Sequence, residues 1–135
     1  MMLLRNISIA MKDLLIVMLG SAFGGGLRFL VSKVMTLLVA TPFPAGTFTV
    51  NILGCFLIGL FSALPSTHSW LTPQIRLLLT TGCCGGFTTF STFMKESDGL
   101  LTSHLPLTLI AYLALSIVLG MLAVWCGYKL ASAIG

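Results

Sequence analysis

Four long apolar runs alternate with short polar stretches along this chain. They cover about residues 14–34, 47–64, 73–101 and 107–130, each close to the roughly 20 residues an α-helix needs to cross a bilayer. The punctuation between them is brief. A lead carrying Arg5, Lys12 and Asp13 precedes the first run, and Ala40-Thr41-Pro42-Phe43-Pro44-Ala45-Gly46 reads as a turn by its prolines and glycine. Pro65 to Thr72 forms a loop in which His68 is a solvent-facing or interfacial residue, and Pro73 suits the first turn of the next helix. Lys95, Glu96 and Asp98 mark an exit to water, and a short linker around Ser103-His104-Leu105-Pro106 leads to the last run. Trp70, Trp125 and Tyr128 fall where an interfacial aromatic belt is expected. With no internal repeat, the pattern predicts an all-α membrane protein: one domain over residues 1–135 with four transmembrane helices.

The third run does not read as a plain span. Gly82-Cys83-Cys84-Gly85-Gly86-Phe87-Thr88-Thr89-Phe90-Ser91-Thr92-Phe93 brings three glycines, then hydroxyls interleaved with phenylalanines. Glycine weakens a helix, and Ser/Thr side chains compete for its backbone hydrogen bonds. The expectation is a helix broken in mid-membrane, one half ending near Cys84 and the other starting near Thr89. In lipid, non-helical backbone survives only where protein buries it or where it lines a wet cavity, so the break is the first candidate for a functional site.

Composition agrees with the pattern. The 135 residues are 57% hydrophobic and only 7% charged, against about a quarter charged in a soluble domain, and mean hydropathy is +1.09. The net charge of +4 comes from few residues and forms no basic stripe, which sets nucleic acid aside. The first run reads as a retained helix, because no small-x-small site follows a short apolar core. Cys55, Cys83, Cys84 and Cys126 lie in apolar sequence without CxxC spacing or a nearby histidine, so they read as small hydrophobes. No Ser-His-Asp set, HExxH or phosphate-cradling loop is present, and the chain does not read as an enzyme.

Within the runs, a few polar residues stand out. Gly20 and Gly24 have the GxxxG spacing that lets membrane helices approach closely. Arg28 either snorkels to headgroups or faces protein or a water-filled vestibule. Asn51 makes a helix–helix hydrogen bond or lines a polar path, and Thr47, four residues earlier, shares its face. Phe90 and Phe93 share a face of the second half-helix, with Ser91 and Thr92 between them. On spacing alone, packing against lipid or core is the commoner fate of such a pair. The coincidence of broken backbone, hydroxyls and rings within a dozen residues favours a path for an anion, to which ring edges present weak positive potential. Nothing there grips an anion as a lysine would, so an ion that enters can also leave.

Four spans would put Arg5, Lys12, Arg76 and Lys129 on one side and Arg28, Lys33 and Lys95 on the other. Such a balance gives almost no orientational bias. The expectation is insertion both ways and an antiparallel dual-topology homodimer, with Arg76 snorkelling near its membrane end. Carbonyls from Gly85 to Thr88, freed by the break, are satisfied by neighbouring helices or water, or coordinate sodium as unwound segments do elsewhere. Two breaks meeting in such a dimer can bring four carbonyls to one cation.

At these residues the sequence resembles the Fluc (CrcB) fluoride channel family. The matching stretches are Gly25-Gly26-Leu27-Arg28-Phe29, Gly46-Thr47-Phe48-Thr49-Val50-Asn51-Ile52-Leu53-Gly54, and Thr81 through Phe93 followed by Glu96. The resemblance implies a fluoride-specific channel of the bacterial inner membrane, an antiparallel homodimer with two pathways. It implies that Phe90 and Phe93 line the pore, that Asn51, Ser91, Thr92 and Tyr112 supply polar contacts with Thr47 on the same track, and that carbonyls of Gly85 and Thr88 hold a structural sodium ion that is not transported. Arg28 and Glu96 are further family positions. The implied activity is passive efflux of fluoride that entered as the neutral acid, which reduces fluoride toxicity. A small proton-coupled multidrug-type exporter is the alternative. It needs a membrane-embedded carboxylate, whereas Asp13, Glu96 and Asp98 fall at segment ends.

Overall fold

A computed structural model describes residues 2–65 and 69–134, side chains at 3 and 4 excepted. His68 lies outside the described residues. All elements are helical among those described. Helix α1 is Met2–Leu38, α2 is Ala45–Ala63, α4 is Phe90–Thr102 and α5 is Pro106–Ile134. The helix between α2 and α4, here α3, is composite: an α-helical Pro73–Leu77, a π-helical Leu78–Cys84 and a final α-helical turn Gly85–Phe87.

Helix α1 starts earlier and ends later than the apolar run at 14–34. No proline or glycine interrupts the chain before Gly20, and the exposed Arg5, Ile7, Ser8 and Lys12 cost a helix little. Its 37 residues extend about 55 Å, well past the roughly 30 Å of a hydrocarbon core. Among the described residues, three helices are long and apolar enough to cross a membrane, within Arg5–Leu38, Ala45–Ala63 and Pro106–Ile134. Neither half of the interrupted segment reaches that length alone.

Helix α2 is the hub. It packs along α5, and α1 packs against both α2 and the segment from Leu78 to Phe87. One apolar cluster gathers Leu64, Leu71 and Ala131; another gathers Phe93, Leu100 and Tyr112 with Phe43 and Phe48 around them. Large apolar side chains cover the outer faces of α1 and α5, among them Phe23, Phe29, Ile117, Met121 and Trp125. Lys129 sits 5.7 Å from the Trp125 ring, a cation–π contact at the end of α5.

Arg76 corrects the expectation that it snorkels. Its guanidinium wraps the C-terminal end of α2, donating to the carbonyls of Phe61 at 3.2 Å, Ser62 at 2.8 Å and Leu64 at 2.7 Å. The last carbonyls of a helix have no partner within it and carry its negative dipole end, so a cation there is doubly favourable.

Glycine acts here as a spacer. A Cβ at Gly20 would lie 2.7 Å from the Gly82 Cα, and one at Gly86 would lie 2.6 Å from the Ser21 carbonyl oxygen. Backbone therefore meets backbone along the α1–α3 seam, and the GxxxG pair finds its partner within the chain. Gly86→Ala should lower thermal stability in detergent by about 1–3 kcal/mol, the usual cost of overpacking. Gly26→Ala, whose Cβ would meet nothing within 4 Å, should be neutral or stabilising by up to about 1 kcal/mol. Equal melting shifts for the two would show that the seam is not tight.

Candidate functional site

The break is two residues long, not the wider stretch from Cys84 to Thr89 that the glycines suggested. Thr88 (φ −82°, ψ 159°) and Thr89 (φ −149°, ψ 119°) are extended. Gly85 and Gly86 stay helical, because in lipid an amide leaves its helix only where another partner waits. β-Branched threonine suits the extended conformation.

The backbone N–H and carbonyl groups of Thr88 and Thr89 all have partners. The Thr88 N–H still donates to the Cys84 carbonyl at 3.0 Å. The Thr88 carbonyl accepts from Arg28 Nη1 at 3.3 Å. The Thr89 N–H donates to Asn51 Oδ1 at 2.9 Å, and the Thr89 carbonyl accepts from Asn51 Nδ2 at 3.1 Å. One carboxamide thus mimics a peptide partner, offering donor and acceptor side by side. The Thr89 hydroxyl then caps α4, accepting from the Thr92 N–H at 3.3 Å and donating to Thr92 Oγ1 at 3.1 Å, with Ser91 Oγ 3.3 Å away. Gly54 makes room for all this: a side chain there would collide with the Thr88 methyl.

These contacts decide between the sequence readings. Arg28 is half-buried and faces protein. Asn51 spends its amide on the break's backbone.

A groove of about 430 Å³ opens against the break, lined by Asn51, Cys55, Gly85, Thr88, Phe90, Phe93 and Ser116 among others. Phe93 is 8% exposed and Phe90 73% exposed; their ring centroids are 6.1 Å apart. Ser91 and Thr92 are exposed on the first turn of α4. Ser116 was not singled out in the sequence. Among the described residues its hydroxyl is buried without a hydrogen-bond partner, a state that costs about 1–3 kcal/mol. The available signal was its place four residues, about one helical turn, after Tyr112.

A second cavity of about 500 Å³ lies toward the other end of α4, with Ser32, Thr36, Phe43, Thr47, Glu96 and Ser103 in its wall. Glu96 was expected to mark the exit to water, as Lys95 and Asp98 do. Instead it is half-buried and accepts two hydroxyls, Thr47 Oγ1 at 2.9 Å and Tyr112 Oη at 2.8 Å. The fully buried Tyr112 stacks at a tilt on Phe93, centroids 4.9 Å apart, and meets Phe43 edge-on at 5.5 Å. Glu96, Tyr112 and Phe93 therefore join one cavity to the other.

Fold and site define a multi-pass helical membrane protein organised around an interrupted helix with polar groups gathered at the interruption. The chain belongs to the CrcB-like family: the model described as "CrcB-like protein, Camphor Resistance (CrcB)" matches residues 15–128. It is 50% identical over 117 residues to the "Fluoride-specific ion channel FluC" of Phocaeicola vulgatus, covering 87% of this chain and 96% of that one. Like-named proteins of Chlorobium phaeobacteroides (47% over 118 residues; 87% and 91% covered) and Flavobacterium psychrophilum (41% over 121 residues; 90% and 98%) are similar.

Replacing Asn51 by Leu, of similar volume, removes both bonds to Thr89 and should cost about 1–3 kcal/mol. Amide exchange at Thr89 should accelerate, whereas that of Val50, buried one position away on α2, should not. Unchanged exchange at Thr89 would show that the carboxamide does not hold the break.

Proposed function

We propose that this protein is a passive, fluoride-specific channel of a bacterial inner membrane, not an enzyme, and that it works as an antiparallel homodimer whose chains each cross the membrane four times. The observation that carries the reading is the extended Thr88–Thr89 pair, set against a groove that holds Phe90, Phe93 and the unpartnered Ser116 hydroxyl. Relatives 41–50% identical over most of their length carry the fluoride channel name.

On this reading fluoride passes along the groove by Phe90 and Phe93. Ser116, Ser91 and Thr92 donate hydroxyls, Asn51 acts chiefly by holding the break open, and Tyr112, Thr47 and Glu96 form the way out. The Thr47 and Tyr112 hydroxyls are drawn up on Glu96 and reach an anion only by leaving it, so the carboxylate both stores and competes for them. Contacts of that kind are weak enough to allow exit. A membrane potential of about 100 mV, negative inside, favours anion exit by about 2.3 kcal/mol, roughly a fifty-fold gradient, and no pump is required. A proton-coupled exporter would need a carboxylate at mid-path; Glu96 stands instead at a cavity wall with both oxygens engaged.

The residues at the break suit a hard cation. The Thr89 and Thr92 N–H groups, which a continuous helix would aim at the Gly85 and Thr88 carbonyls, turn to Asn51 and to the Thr89 hydroxyl. Two main-chain oxygens are thereby released from helical bonding, the ligand type sodium takes. The Arg28 contact on Thr88 opposes this by drawing on one of the two. The Gly85 and Thr88 carbonyls of both copies would hold the ion, which supplies a fixed positive charge beside the path and is not transported.

The test is fluoride efflux from liposomes holding the purified protein, with chloride as control. Fluoride should leave and chloride should not. Phe93→Ile should slow fluoride by about tenfold, equivalent to losing about 1.4 kcal/mol of ring-edge interaction, with assembly unchanged by size-exclusion chromatography. Full flux would remove that ring from the path. C-terminal reporter fusions should be active on both sides of the membrane, and activity on one side alone would refute the antiparallel pair.

A further inference from the structure

Two cysteines distant in sequence face the same space. Cys55 on α2 and Cys84 at the end of the π-helical stretch both line the groove at the break, beside Phe93 and the buried Ser116 hydroxyl. Cys55 is half-buried and free, and a Cβ at Gly120 of α5 would lie 3.5 Å from its Sγ. Cys84 is free and 3% exposed. The other two thiols are placed differently: Cys83 does not line the groove, and Cys126 is exposed on α5.

We propose that this groove is a binding site for a soft, thiophilic cation such as Ag⁺, with Cys55 as entry ligand and Cys84 as second sulfur, and that its occupation closes the channel. Soft thiolates select soft metals over the hard cations of the cell, and coordination deprotonates the thiol. The step balances as protein–SH plus Ag⁺ giving protein–S–Ag plus H⁺, with no change in oxidation state. A second thiol, or the Ser116 hydroxyl, completes a low coordination number. The sulfurs share the groove with Phe90, Phe93 and Thr88, so the silver thiolate, neutral once the proton has left, closes the channel by filling the space an anion needs. The blocking half of the proposal rests on the channel reading; the binding half does not.

Two measurements separate them. Native mass spectrometry of the Cys83→Ser/Cys126→Ser protein, given AgNO₃ in chloride-free buffer, should show one silver retained per chain, lost on adding Cys55→Ser. Cys84→Ser should weaken retention without abolishing it. In liposomes, Ag⁺ should reduce fluoride efflux of the Cys83→Ser/Cys126→Ser protein to the level of protein-free vesicles. The further Cys55→Ser variant should keep conducting in silver, and a thiol chelator should restore the blocked channel. Silver retained equally without Cys55, or equal block of the variant that lacks it, overturns the proposal. Absence of fluoride efflux before silver is added defeats the channel reading and leaves the mass measurement to decide the site.

Discussion

Two peptide units lie outside the helix, in a chain whose surroundings give backbone nothing to bond to. In hydrocarbon each unsatisfied amide or carbonyl costs several kcal/mol, so an interruption exists only if side chains take over its hydrogen bonds. Asn51 takes both groups of Thr89, and Arg28 takes the Thr88 carbonyl. Much of the rest follows from placing those two side chains. Arg28 reaches Thr88 because α1 lies backbone to backbone with α3, which Gly20, Gly82 and Gly86 permit. Asn51 reaches Thr89 because Gly54, about one turn further on, leaves the space that the Thr88 methyl fills.

The sequence revealed the apolar runs, the presence of an interruption and the residues that crowd around it. It drew the interruption too wide, because glycine's helix penalty was read as breaking when membrane surroundings keep Gly85 and Gly86 helical and use the missing side chain for approach. The residues that leave the helix are two threonines whose own hydroxyls bridge to Cys84 and Thr92. The partners of the break were illegible for a different reason: Arg28 and Asn51 stand 60 and 38 positions away from the groups they bond, and local pattern carries no such information. Arg76 shows the same limit, since a cation near a membrane end looks like a snorkelling residue until the end of another helix is brought to it. Glu96 was misread by its neighbours. Lys95 and Asp98 do face water, but one position along a helix turns a side chain by about 100°, and Glu96 points to Thr47 and Tyr112.

Along the proposed path the electrostatic character changes from end to end. At one end stands a carboxylate with both oxygens engaged by hydroxyls; at the other, a guanidinium behind the break, tied to a carbonyl. Between them lie neutral donors and aromatic rims. A hydrogen bond to a carbonyl leaves the Arg28 charge intact, so its field still reaches the groove, where the effective dielectric constant is well below that of water. On the proposed function, an anion in the groove would be attracted by a charge it does not touch and contacted by groups that carry none. A lysine placed directly in the groove would reverse that arrangement, binding tightly at close range and slowing release. On that reading, setting the full charge behind the backbone and the hydroxyls in front of it would keep attraction and release compatible, with the interruption of the helix as the gap through which both act on the same ion.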